Sequence, residues 1–132
     1  MPGLTIGKVA QAAGVNIDTL RYYERQGILP PPARTRSNYR VYPPETISQV
    51  RFIKRAQALG FSLEEIRELL RLKSAQGARC QEVRRQAEEK IRQLDKKIRS
   101  LERMKQALQE LVEACSGAGA AIDCPIIESL DS

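Results

Sequence analysis

The sequence predicts a mainly α-helical protein, with a small basic head followed by one long helix patterned to pair with another helix. Three observations carry that prediction: two short amphipathic segments near the N-terminus, each stopped by glycine; a stretch free of Gly and Pro from about Ala78 to Glu113; and an uneven distribution of charge. The chain has 132 residues, 42% of them hydrophobic, but only six aromatic side chains and no Trp, which argues against one thick core. The formal charge is +6. Residues 1–55 hold nine Lys/Arg against three Asp/Glu, whereas residues 56–132 hold thirteen of each, so the whole excess lies on the N-terminal part. A basic head on a neutral body points to a polyanionic partner, most simply nucleic acid.

Thr5 is placed to cap a helix over Ile6–Ala13, whose face of Ile6, Val9, Ala10 and Ala13 is apolar and which Gly14 ends. Asn16 caps a second helix, Ile17 to Gln26, stopped at Gly27. Two short helices joined by a tight Gly-containing turn in a basic segment form a helix-turn-helix pattern. The second helix is expected to bury Ile17, Leu20 and Tyr23 and to turn Thr19, Arg21, Tyr22 and Arg25 outward, where Arg can read guanine edges or clamp phosphate and Tyr can donate to phosphate.

Pro30, Pro31 and Pro32 then end helix formation and stiffen an extended segment. Ser37–Asn38 reads as a turn and Tyr39–Tyr42 as strand-like, so Arg34, Arg36 and Arg40, interleaved with Tyr39 and Tyr42, form a basic wing beside the second helix. Glu45 to Leu59 reads as a third helix ended by Gly60. Ser62-Leu63-Glu64-Glu65 is a capping box opening a fourth that runs through Leu72.

The long segment repeats in sevens. With Ile91, Ile98, Lys105 and Val112 as a positions, the d positions are Ala87, Leu94, Leu101 and Leu108, a coiled-coil seam of about four heptads. The head is too small to cover it, so a second copy of the chain is the economical partner. The expected division is a DNA-binding winged helix-turn-helix over residues 1–75, a dimerisation helix over 76–114, and a C-terminal loop and turn over 115–132.

The chain has three cysteines and no histidine. Extending the d register reaches Cys80 at one end and Cys115 at the other, five heptads apart. Along one helix that is about 50 Å, too far to share an ion within one chain. Antiparallel packing of two long helices brings Cys80 of one chain to the Cys115 region of the other, and a short loop can fold Cys124 back to join them. The dimer then has two equivalent three-cysteine sites. Cys80 lies near a helix N-terminus, where the dipole favours negative charge, and thiolates select soft ions. Without histidine, mixed Cys/His zinc sites and Cys–His nucleophiles are both disfavoured, so an enzyme is not expected. An odd cysteine count argues against a disulfide framework, although oxidation of the thiols to a disulfide across the dimer offers a redox-sensor alternative.

Taken together, Thr5-Ile6-Gly7, Gly14-Val15-Asn16, Thr19 to Gly27, Asn38 to Tyr42 and Leu59 to Ile66 resemble the MerR family of transcription regulators, along essentially the whole chain. The cysteine frame, with Cys124-Pro125-Ile126-Ile127, looks most like the mercury-responsive members. It resembles copper- and zinc-sensing members less, and lead- and cadmium-responsive members are the alternative. The resemblance implies an antiparallel coiled-coil homodimer on double-stranded promoter DNA, repressing without metal. It further implies that Hg(II), bound at two sites per dimer by Cys115 and Cys124 with Cys80 from the partner subunit, leads to DNA distortion that lets RNA polymerase align both promoter elements. Thr19, Arg21 and Tyr22 on the recognition helix, and Arg36, Tyr39 and Arg40 on the wing, fall at DNA-facing positions. There is no membrane-length apolar run and no signal segment, so a cytoplasmic location is expected.

Overall fold

A computed structural model describes residues 3–37 and 39–131; Asn38, half of the expected Ser37–Asn38 turn, lies outside the described residues. The structure forms two units, one ending at Val83 and the other beginning at Arg84.

In the first unit, helix α1 (Ile6–Ala13) starts where Thr5 Oγ1 accepts the Lys8 N–H at 3.3 Å and stops at Gly14, whose φ of 73° is left-handed and suits glycine. Helix α2 (Ile17–Arg25) starts at Asn16, whose Oδ1 accepts the Thr19 N–H at 2.7 Å. Leu20 and Tyr23 are buried as expected, but Ile17 is 37% exposed. It opens the first turn of α2, and the inward face of this short helix is already taken by Leu20 and Tyr23.

Two strands, β1 (Ala33–Arg34) and β2 (Arg40–Val41), pair antiparallel with Ala33 opposite Val41 and Arg34 opposite Arg40. The strand at Ala33–Arg34 was expected only as an extended, proline-stiffened segment; pairing with β2 gives it a ladder. Leu4 extends this wing by exchanging two 2.8 Å backbone hydrogen bonds with Tyr42. Gly3 allows that approach, since a Cβ there would lie 2.6 Å from the Val41 Cβ.

Helices α3 (Glu45–Ala58) and α4 (Leu63–Ser74) follow, the latter opened by the expected capping box between Ser62 and Glu65. The core gathers Val9, Leu20, Tyr23, Leu29, Tyr42, Val50, Ile53 and Ile66, so α1, α2, the wing, α3 and α4 share one apolar centre. Cations from α3 and α4 complete the helix-turn-helix. Arg51 donates to the Ala12 carbonyl at 2.8 Å, Lys54 to the Gly14 carbonyl at 2.7 Å, and Arg67 to the Gln26 carbonyl. These carbonyls close α1 and α2, where no intrahelical donor remains and the dipole favours positive charge.

Helix α5 runs unbroken from Cys80 to Ala114, through nearly all of the stretch from Ala78 to Glu113 that lacks Gly and Pro. Along the second unit its seam residues Ile91, Leu94, Ile98, Leu101, Leu108 and Val112 all stand open to solvent. A 3₁₀ turn (Ala121–Asp123) leads into α6 (Pro125–Asp131), the expected C-terminal turn.

Replacing Ser62 by Ala removes the oxygen that accepts the Glu65 N–H and is expected to lower stability by about 1 kcal/mol, read from urea denaturation, with Ser62→Asp retaining most of it.

Candidate nucleic-acid interface and thiol site

On α2 the outward set is Arg21, Tyr22 and Arg25, with Thr19 half-buried beside it. The Thr19 hydroxyl donates to Asn16 Oδ1 at 2.8 Å, so it also serves the helix cap. Arg21 lies 4.0 Å from Asp18, a loose, exposed pair that leaves the guanidinium available. The Arg25 guanidinium stands 6.0 Å from the centre of the Tyr22 ring. Tyr23 points the opposite way and donates to Gln57 Oε1 on α3 at 2.6 Å. Burial, then the neighbouring Tyr22, pushes the Tyr23 hydroxyl above its usual range. Neighbouring tyrosines therefore divide the work: Tyr23 anchors α2 and Tyr22 is presented.

In the wing, Arg36 is exposed in the turn and Tyr39 is 71% exposed. The Thr35 N–H donates to the Tyr39 carbonyl at 2.9 Å, and the Tyr39 N–H returns to Thr35 Oγ1 at 3.1 Å. Arg40 differs from these. It is half-buried and donates to Glu24 Oε2 at 3.1 Å, while the Tyr42 hydroxyl donates to Glu24 Oε1. A cleft of about 380 Å³ between α2 and the wing is lined by Arg21, Arg25, Arg34 and Arg40, with Glu24 as its carboxylate. Sequence reasoning assigned Glu24 no role: its partners lie 16 and 18 residues away, beyond any helical spacing. The available signal was an acidic residue on the face of a helix otherwise lined by arginines.

In the second unit, Cys115 and Cys124 approach to 3.5 Å between sulfurs. Cys124 immediately precedes α6. Backbone N–H groups of Ile127 and Ile126, then the Cys115 thiol, hold the Cys124 thiol below its usual range, against the opposing effects of burial and Glu128. The spacing fits a shared soft ion, since two metal–sulfur bonds of about 2.3 Å span at most about 4.6 Å. Cys80 is exposed at the first position of α5. Among the described residues, no three His, Cys, Asp or Glu side chains converge on a metal-sized site within one chain.

Residues 4–73 match the MerR helix-turn-helix family of regulatory proteins, and residues 47–111 the MerR DNA-binding family. The chain belongs to the MerR family. It is 45% identical over 130 residues to the mercuric resistance operon regulatory protein of Serratia marcescens, covering 98% of this chain and 89% of that protein. Two solved MerR-family structures are similar over nearly the full length. One, a transcription regulator of Ralstonia metallidurans CH34 in complex with lead(II), gives a TM-score of 0.84 at 33% identity, covering 96% of this chain and 98% of that one. The other, the dual-function regulator MerR of Bacillus megaterium MB1 in complex with mercury(II), gives 0.74 at 35%, covering 98% and 100%.

The MerR family is one of DNA-binding transcription regulators, not enzymes. The resemblance seen in the sequence and the predicted winged helix-turn-helix with a long helix are both borne out. Within this MerR-family head, Arg21 and Arg40 line one cleft, while Arg36 and Tyr39 sit in the exposed tip of the wing. Of the three cysteines, the structure brings Cys115 and Cys124 together. Among the described residues, no helix is long and apolar enough to cross a membrane.

Burial first, then the hydrogen bond and charge of Glu24, push the Tyr42 hydroxyl up to about 12, with Arg40 opposing. A raised folded-state value means that the stability from this hydroxyl is fully present below the usual tyrosine value near 10 and is lost as pH rises through about 12. Absorbance at 295 nm is expected to show a late, stability-linked step near pH 12 that Tyr42→Phe removes.

Proposed function

We propose that this MerR-family chain is a Hg(II)-responsive regulator of a mercury-resistance promoter, working as a cytoplasmic homodimer on double-stranded DNA. The observation that carries the reading is the Cys115–Cys124 pair, 3.5 Å apart, next to the end of a helix that begins at Cys80 in the same heptad register. A 35-residue helix rises about 50 Å. Antiparallel pairing of two α5 seams therefore supplies Cys80 from one chain to Cys115 and Cys124 of the other, with two sites per dimer. The all-sulfur donor set suits a soft ion. The 45% identity to the Serratia marcescens mercuric resistance regulator supports mercury, and the lead(II)-bound neighbour makes lead(II) or cadmium(II) the competing reading.

The proposed division of labour is DNA binding by residues 1–75, dimerisation by 76–114 and metal binding by 115–132. Thr19, Arg21 and Tyr22 on α2, with Arg36, Tyr39 and Arg40 on the wing, form the DNA-facing set, Arg40 from within its pairing with Glu24. Without metal the dimer represses. Cys115 and Cys124, with Cys80 of the partner subunit, would hold Hg(II) as thiolates and so link the two subunits. Cys80 transmits that cross-link to its own head through α5, which changes the angle at which the two heads hold the DNA and lets RNA polymerase align both promoter elements.

In a promoter-reporter assay, Cys80→Ser is expected to keep wild-type DNA affinity and lose activation by Hg(II). Normal activation by that variant would eliminate the shared site. Titrating the wild type with Hg(II), Pb(II), Cd(II) and Zn(II) is expected to give half-maximal activation at the lowest concentration with Hg(II); a lower value for Pb(II) would reassign the ion.

A further inference from the structure

Glu24 is a carboxylate in a cleft of arginines, and its surroundings distinguish it from the other acidic groups of the head. Its side chain is 12% exposed, whereas Asp18, earlier on α2, is 92% exposed. Both oxygens of Glu24 are engaged from the same extended segment of the wing: Arg40 donates to one at 3.1 Å and the Tyr42 hydroxyl to the other. Arg40 and Tyr42 stand two residues apart on extended backbone, so their side chains project to the same side. Tyr42 is itself fixed, 2% exposed and bridged through its backbone to Leu4. One carboxylate on the recognition helix thus grips two successive same-side residues of that segment.

We propose that Glu24 is a positioning residue that clasps the wing to the recognition helix, and that Arg40 acts through this clasp rather than as a free phosphate cation. The charge is committed before DNA arrives. Arg21 has only a loose, exposed partner, and Arg36 is exposed in the wing turn. A phosphate approaching Arg40 must compete with a carboxylate 3.1 Å away that is itself mostly buried, although Arg40 remains partly open to solvent. The clasp therefore sets the separation between base-reading helix and wing, and with it the register of both on the duplex. It contributes specificity, while the net charge of the clasp is zero.

The inference rests on the DNA-binding reading of the head, and salt dependence tests it. Each cation that neutralises a phosphate adds about 0.9 to the slope of log affinity against log salt. The probes are an operator duplex selected by the wild-type protein from a randomised pool and a random-sequence duplex of equal length. Arg36→Ala is expected to lower the slope by about 0.9. Arg40→Met is expected to weaken operator binding about tenfold with the slope unchanged. Glu24→Gln is expected to weaken operator binding by a similar factor while steepening the slope on random DNA, because it frees Arg40 for phosphate. The double variant is expected to lose no more than either single one, since both remove the same contact. Tyr42→Phe, which keeps the buried ring, is expected to lower operator affinity in the same direction without changing the slope, and it decides the matter if the Glu24 variant does not fold. A slope reduced by about 0.9 in Arg40→Met, additive losses, or wild-type operator affinity in Tyr42→Phe overturns the clasp. A wild-type protein that selects no duplex overturns the DNA reading and the clasp together.

Discussion

One constraint organises this molecule: the apolar seam of α5. Ile91, Leu94, Ile98, Leu101, Leu108 and Val112 follow a heptad pattern, and in the single chain all of them face solvent. Leaving one such side chain in water rather than burying it forgoes roughly 1.5–3 kcal/mol. Six of them on one stripe are a surface that another helix of the same pattern covers well, since each knob then finds a hole. In the proposed dimer, burial of this seam sets where the two heads stand and which thiols can meet.

The head solves a different problem. Its two helix-turn-helix segments, 8 and 9 residues long, are far below the length at which isolated helices persist in water. Two devices hold them. Side-chain caps at Thr5 and Asn16 satisfy their first amides, and Arg51, Lys54 and Arg67 from α3 and α4 satisfy carbonyls at their other ends. The same packing leaves one side of α2 free, with Tyr22 presented and Tyr23 locked to Gln57. Part of the positive charge that marks the head as a DNA binder is therefore structural. It is spent on helix ends and on Glu24, and the remainder faces outward.

The thiol pair shows a similar economy. Cys115 directly follows the long helix and Cys124 directly precedes the short one, and the loop between them, with its 3₁₀ turn, has only to turn the chain back. The first amides of α6 point at Cys124 because helix N-termini carry unpaired donors. A negatively charged sulfur is favoured at that position, which is the form a soft ion binds.

Much was determined by the sequence alone. The helix boundaries follow from caps and glycines, because capping is a contact over three residues: Thr5 to Lys8, Asn16 to Thr19, Ser62 to Glu65. The seam and the cysteine register are likewise periodic, and the family resemblance follows from the same motifs. The tertiary structure decided what no local spacing encodes. It exposed Ile17, paired Ala33–Arg34 with Arg40–Val41, and turned Arg40 from an apparent free cation into the partner of Glu24. Each of these depends on segments separated along the chain meeting in space, or on which of several apolar residues wins a place in one shared core. That competition is settled only when the whole head packs.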